Sequence, residues 1–205
     1  MLQNLDIPLV LASRSESRAS ILKGAGLDFD VVPADVDEAA IREVIQKSEP
    51  NPDPADIAEI LARTKAETVS VERKQAVVIG ADQILLFDGR IYEKPADIAT
   101  ARRMLLALKG NAHQLYTSVS VARNGQSIWA HGATANMTMR PFTPEFLGQY
   151  LADAGERVLK SVGAYQIEST GIHLFSKIDG DYFSILGLPL LPLLEFLRSE
   201  GVLPK

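Results

Sequence analysis

Asp82 and Lys94 lie on opposite arms of one hairpin signal, and together they suit a metal ion and a phosphate. Both belong to residues 76–95, AVVIGADQILLFDGRIYEKP. Residues 76–79 are an apolar run that reads as a buried strand. Gly80-Ala81 lets the backbone approach a neighbour closely, and Asp82-Gln83 follow at once. Asp88-Gly89 sits between the apolar runs 84–87 and 90–92, the strongest short-range sign of a hairpin. In that register Phe87 faces Arg90 and Gln83 faces Lys94. A carboxylate and an amine then meet at the exit of a buried strand, where α/β proteins bind ligands. The same two residues also suit a turn former and a solvated edge charge, and this stretch alone leaves both readings open.

Ser13-Arg14-Ser15-Glu16-Ser17-Arg18 is a second candidate. It follows a strand over residues 8–12 and opens a helix from about residue 17 to 25, closed by Gly24 and Gly26. Free backbone N–H groups, hydroxyls and a positive dipole end make an anion site, and Arg14 and Arg18 add charge. Plain N-capping by serine is the alternative. No Gly-rich loop ends in Gly-Lys-Ser/Thr, which excludes a P-loop NTPase.

Residues 29–33 read as a second strand. Asp35, Asp37 and Glu38 follow it; three carboxylates there suit a hard cation held through oxygen, or a solvated loop of helix caps. Asp53 caps the next helix, and Pro54 takes its first position. Its inward stripe is read as Ile57, Ile60, Leu61 and Thr64. Lys65 falls about 80° from Ile57, at the stripe's edge. There it either snorkels to solvent or reaches into a cleft beside the core.

After the hairpin, Asp97 caps a helix over residues 99–108 that ends at Gly110. Residues 115–123 alternate as a strand, Asn124-Gly125 marks a second hairpin, and residues 127–140 form the partner. Thr143-Pro144 opens a helix to residue 152. Residues 161–170 are polar and punctuated by glycine. Residues 172–178 and 182–185 read as strands, and Pro189 starts a final helix over 190–198. Helices alternate with strands and at least two hairpins occur, so the sheet is expected to be mixed.

The 205 residues suit one large domain or two intimate lobes. A net charge of −5 argues against a broad nucleic-acid footprint. The absence of Cys excludes disulfides, a thiol nucleophile and thiolate metal sites, and fits the cytoplasm. The N-terminus is acidic and lacks a long apolar core, so no signal peptide is expected; nor is a membrane span. The three His (His113, His131, His173) show no zinc-ligand spacing.

Taken in order, these pieces resemble the Maf family of nucleoside triphosphate pyrophosphatases over almost the whole chain. The residues are Ser13 to Arg18, Asp35-Val36-Asp37-Glu38, Leu61-Ala62-Arg63-Thr64-Lys65-Ala66, Gly80-Ala81-Asp82, Glu93-Lys94-Pro95, Gly110-Asn111-Ala112-His113, Gly163-Ala164-Tyr165 and Gly187-Leu188-Pro189. The resemblance implies a single Maf-like domain over residues 1–205. Its fold would be α/β and related to inosine triphosphatases, with one elongated mixed sheet, flanking helices, and two lobes around a nucleotide cleft. It implies hydrolysis to the monophosphate and pyrophosphate with Mg²⁺ or Mn²⁺, and a homodimer. By matching position, Asp82 takes the proton-acceptor role. Ser13, Arg18, Lys65 and Lys94 take phosphate-handling roles, with Ser15 beside them, and Glu38 joins Asp82 on the metal side. His113 is read as structural.

The chain departs from the family pattern in three places, the first of which leaves it one Arg short, with Arg14 as the candidate replacement. The family start is usually Ser-Pro-Arg-Arg where this chain has Ser15-Glu16-Ser17-Arg18. The branch acting on dTTP and UTP has Gly-Ala-Asp-Thr and a later Gln, whereas here Gln83 follows Asp82 and Glu168 takes the later place. Gln83 and Glu168 resemble the branch acting on 7-methyl-GTP and are expected to touch base or sugar, yet that branch carries a Trp near position 17 where this chain has Ser17. The resemblance thus implies a nucleoside triphosphate substrate and leaves its base open, non-standard and methylated bases included. The rival reading is a nucleotide-sensing regulator of cell division that binds without turnover.

Overall fold

Strands and helices alternate in the computed structural model, which describes residues 3–49 and 51–204. β1 (Leu9–Leu11) leads to α1 (Glu16–Gly24), β2 (Asp30–Val31), α2 (Glu38–Ser48) and α3 (Pro54–Glu72). β3 (Val77–Phe87) and β4 (Arg90–Tyr92) form the first hairpin, followed by α4 (Ile98–Leu108). β5 (Ala112–Arg123) and β6 (Gln126–Met139) form the second. α5 (Pro144–Ala154), β7 (Phe175–Asp179), α6 (Tyr182–Ile185) and α7 (Leu190–Ser199) complete the chain. Both hairpin turns have positive φ at their two central residues: 51° and 68° at Asp88-Gly89, 53° and 79° at Asn124-Gly125. That geometry matches the twist of the strands they join.

Among the described residues seven strands make one sheet, ordered β2-β1-β3-β5-β6-β7, with β4 paired to β3 off that path. β1 runs parallel to β2 and β3, and the other pairings are antiparallel. The expected mixed α/β sheet is therefore present, and β3, β5 and β6 are its long spine.

Among the described residues the two largest of four apolar clusters are strung along that spine. One gathers Leu11, Leu22, Ile79, Val121 and Leu193. The other gathers Leu85, Leu105, Leu115, Met137 and Leu147. Between them the spine is polar: Asp82 pairs with Ser118 and Gln83 with Thr117.

α3 packs on the spine through Ile57, Ala58, Leu61, Ala62, Lys65, Ala66 and Val69. The expected stripe is thus rotated, because Ile60 is 40% exposed and Thr64 bonds its own helix at Ile60 O. Small alanines face the sheet instead, and a large apolar side chain there would hold the helix away. Gly80 is the closest point. A Cβ added to it would stand 2.3 Å from Ala62 O and 2.6 Å from Ala66 N.

Residues 182–185 do not extend the sheet as expected. Asp181 accepts from Ser184 N at 2.7 Å and caps them into α6, leading the chain off the sheet. The strand expected over 172–178 starts only at Phe175, since Thr170–Leu174 is a 3-10 helix. His113, read as structural, is buried and its Nε2 lies 2.7 Å from Tyr165 Oη.

Candidate active site

β1 stops at Leu11, opposite Ile79, while β3 runs on for eight more residues. The flank of β3 between Ile79 and Leu85, where β4 begins to pair, is therefore open to the segment that follows β1. This corrects the expectation that Asp82 sits at the exit of its own strand. β3 continues through Asp82 because β5 pairs with it throughout; the strand that ends there is β1. The rule that ligands sit beyond carboxyl ends of parallel strands still applies, through β1.

Side chains alternate along a strand, so Asp82 shares a face with Gly80. That face meets α3, and there Asp82 meets Lys65. Lys65 Nζ donates to Asp82 Oδ1 at 2.6 Å and lies 2.7 Å from Glu38 Oε1. Lys65 is only 8% exposed, within the stripe and not at its edge. Asp82 is 5% exposed, and its Oδ2 is buried without a hydrogen-bond partner. Lys65 and Glu38 line the cleft, whereas Asp82 lies behind them.

Glu38 opens α2. Arg42 Nη2, one turn on, lies 3.1 Å from Glu38 Oε2, while Arg42 Nη1 lies 3.1 Å from Glu93 beside Lys94. Burial raises the Glu38 pKa, but the hydrogen bond and charge of Lys65, with Arg42 and Lys94, outweigh it and hold the carboxyl below its ordinary value. The other two acids of the run do not join it in a three-carboxylate site. Asp37 caps α2, accepting from Ala40 N at 3.0 Å, and Asp35 lies exposed on the cleft wall. Among the described residues no three His, Cys, Asp or Glu side chains gather in metal-ligand geometry. Asp82 and Glu38 alone still fit a hard divalent cation. Both are oxygen donors on one ammonium, and Asp82 Oδ2 is an orphaned acceptor.

The start of α1 forms the opposite wall. Ser15 caps the helix, accepting from Arg18 N at 3.3 Å. Ser13 Oγ accepts from Ser15 N and from Arg18 Nη1, each at 3.2 Å. Arg18 Nη1 also donates to Ala81 O at 2.9 Å, and Nε to Gly187 O at 2.8 Å. Arg18 thus ties α1, β3 and the Gly187 turn together, with Nη2 left over for a ligand. Burial lowers the guanidinium pKa, and the carboxylates of Asp82 and Glu38 oppose that shift.

The cleft has two connected chambers. An outer one of about 480 Å³ is lined by Ser13, Arg14, Asp35, Glu38, Lys65 and Lys94. An inner one of about 80 Å³ is lined by Gln83, Tyr165, Glu168, Ile185 and Gly187. Ser15, Ser17, Arg18, Lys94, Lys160 and Gln166 line both. Lys94 does not pair with Gln83 as the hairpin register predicts, because the ladder stops at Leu85–Tyr92. The two still share the inner chamber. Partial burial, then the charges of Arg18 and Lys65, lower the Lys94 pKa. Gln83 Nε2 donates to Thr117 Oγ1 at 2.9 Å, Ile185 O at 3.0 Å and Ser184 O at 3.1 Å. Glu168 accepts from Ser17 Oγ at 3.0 Å.

Every site residue expected from sequence therefore lies in or directly behind this cleft. Lys160, Gln166 and Arg42 join them without a sequence signal: Lys160 and Gln166 fall in or beside the polar stretch with no recognisable spacing, and Arg42 lies in α2, a segment to which the sequence reading assigns no element.

The family profile described as Maf-like protein matches residues 8–200. The chain is 48% identical to a protein of Brucella abortus named 7-methyl-GTP pyrophosphatase, over 96% of this chain and 98% of that one. It is 50% identical to a 7-methyl-GTP pyrophosphatase of Mesorhizobium japonicum, over 95% and 97% of the two chains. It is also 50% identical to a protein of Rhodopseudomonas palustris named nucleoside triphosphate pyrophosphatase, over 96% and 95%.

Proposed function

The chain belongs to the Maf family, and on that footing we propose that it is a nucleoside triphosphate pyrophosphatase. Water attacks the α-phosphorus, the α–β anhydride breaks, and the nucleoside monophosphate and pyrophosphate leave. The observation that carries the site assignment is the Lys65 ammonium bridging the carboxylates of Asp82 and Glu38 beneath a cation-lined cleft.

A triphosphate carries about four negative charges, so the reaction is foremost one of charge stabilisation. Lys65, Lys94 and the free Nη2 of Arg18 face that charge. The Ser13 and Ser15 hydroxyls and the open start of α1 cradle phosphate oxygens. Asp82 orients the attacking water and takes its proton through Oδ2. The Lys65 ammonium 2.6 Å from Oδ1 fixes the carboxylate in one orientation, which leaves Oδ2 to position the water. Asp82 and Glu38 would hold Mg²⁺ or Mn²⁺, which when bound supplies charge neutralisation at the phosphates and a more acidic water.

The inner chamber reads the base. The amide nitrogen of Gln83 is already committed to protein acceptors, so its Oε1 is the atom left for a ligand. Glu168 offers only acceptors as well. A base between them must therefore present N–H donors. Guanine does so with N1–H and the adjacent exocyclic amine, and a 7-methyl group adds positive charge that a carboxylate favours. We accordingly assign a guanine-type base, methylated forms included.

We read the two apolar clusters as two lobes of one domain spanning residues 1–205, and propose a homodimer working in the cytoplasm. Among the described residues no helix is long and apolar enough to cross a membrane.

The test is product analysis with Mg²⁺ across 7-methyl-GTP, GTP, ITP, dTTP, UTP and CTP, with Asp82→Asn as control. Monophosphate and pyrophosphate in equal amounts from the guanine-type substrates, abolished in the variant, are expected. Saturable binding without turnover would replace this reading with the nucleotide-sensing regulator.

A further inference from the structure

Lys160 stands where the two chambers meet, at the end of a 3-10 helix (Gly155–Lys160), and lines both. Across the cleft mouth it forms an ion pair at 2.7 Å with Oε1 of Glu16, the first residue of α1. Beside it, Ser17 Oγ donates to Glu168. Two contacts thus link the first turn of α1 to the segment 160–168 across the cleft. We propose that Lys160 is a phosphate-binding residue of this enzyme, and that Glu16 holds it in reserve until the phosphate chain displaces that carboxylate.

The charge inventory of the cleft leads there. Lys65 is engaged by two carboxylates, and Arg18 has two of its three nitrogens bound to protein. Lys94, Arg14 at the rim and Lys160 are the remaining cations on the walls. Of these Lys160 is the one paired with an exposed acid: the two side chains are 52% and 79% exposed. An ion pair so open to water contributes little to stability and breaks readily. A polyphosphate at the junction offers the ammonium several charged oxygens in place of one carboxylate. Glu16 then behaves as an internal competitor for the phosphate site, and its release undoes one of those two links.

This inference rests on the pyrophosphatase reading. The experiment is steady-state kinetics of wild type, Lys160→Met, Glu16→Gln and the double variant on the best nucleoside triphosphate, together with competitive inhibition by inorganic pyrophosphate. Lys160→Met should raise KM and the pyrophosphate inhibition constant about tenfold with kcat little changed, the mark of lost uniform binding. Lys160→Arg should restore most of the affinity. Glu16→Gln should lower KM about two- to fivefold, as expected from loss of a surface ion pair. In the Lys160→Met background the Glu16 change should do nothing, because there is no amine left to release. If Glu16→Gln lowers KM equally in both backgrounds, Glu16 merely repels the substrate and the exchange is wrong. An unchanged KM in a folded Lys160→Met overturns the phosphate role outright. Absence of turnover in wild type would instead count against the pyrophosphatase reading; pyrophosphate binding to wild type and Lys160→Met, read by calorimetry, would then still decide the role of Lys160.

Discussion

Lys65 Nζ stands 2.6 Å from Asp82 Oδ1, and the same ammonium is 2.7 Å from Glu38 Oε1. One buried cation thus serves two acids, one nearly fully buried and one at the cleft wall. Removing it alone leaves the Asp82 carboxylate buried and uncompensated. Breaking such a pair from one side costs about 3–5 kcal/mol. Lys65→Met should therefore lower stability by about that much in urea unfolding without added metal, and adding Asp82→Asn should recover a large part. A Lys65→Met protein as stable as wild type would show that the pair is not closed in solution.

Gly80 tests the backbone side of the same arrangement. Any Cβ there meets the main chain of α3, which cannot swing aside like a flexible side chain. Gly80→Ala should cost about 1–3 kcal/mol, typical of overpacking. It should also lower kcat, because α3 carries Lys65 and would be pushed from Asp82. Thermal unfolding and kcat measured together check this; Gly125→Ala, at a turn remote from the cleft, should lower stability while sparing kcat.

His113 makes folding depend on pH. Burial brings its pKa down from 6.5 to about 4, so the folded state stays neutral where the unfolded chain takes a proton. The unfolded chain therefore binds more protons between pH 4 and 6.5, and stability falls as pH drops through that window. At about 1.4 kcal/mol per pKa unit the loss approaches about 3 kcal/mol. Unfolding midpoints from pH 7 to 4 should show the slope, and His113→Gln should flatten it.

Lys94 should set the alkaline limit of activity. Burial and the positive charges of Arg18 and Lys65 lower its pKa, so its charge is lost at lower pH than for a free lysine. As pH rises, kcat/KM should decline early, and Lys94→Arg should move that decline to higher pH. Coincident profiles for wild type and variant would assign the limb to another group.

Glu168 should govern the choice of base. Glu168→Gln replaces a charged acceptor by an amide that also donates, so the advantage of 7-methyl-GTP over UTP in kcat/KM should shrink about tenfold. The hydrogen bond from Ser17 survives in that variant, which separates base reading from loop support.

The hairpins, the helix caps at Ser15, Asp53, Asp97 and Thr143, and the mixed sheet were legible in the chain, because they depend on local rules. A type I′ turn favours Asp-Gly or Asn-Gly whatever surrounds it, and an N-cap needs one hydroxyl or carboxylate two or three residues before an amide. The positions of Asp82, Lys65, Lys94 and Glu38 were legible too, through the order of motifs resembling one family.

Tertiary packing decided the rest. Asp82 sits mid-strand and not at a strand exit because β5 continues to pair with β3 where β1 has stopped. Lys65 faces inward because α3 turns its alanines to the sheet and approaches at Gly80, an arrangement that a helical repeat cannot reveal. Residues 182–185 are the exception, a helix set by a local rule that the strand reading overlooked: Asp181 caps them. Glu16 and Lys160 are 144 residues apart, and their meeting follows from where the sheet brings α1 and the 3-10 helix together. Sequence determined what each segment favours and which residues can do the chemistry. Distances between charges from separate elements depend on packing, and packing alone brought those residues to one cleft.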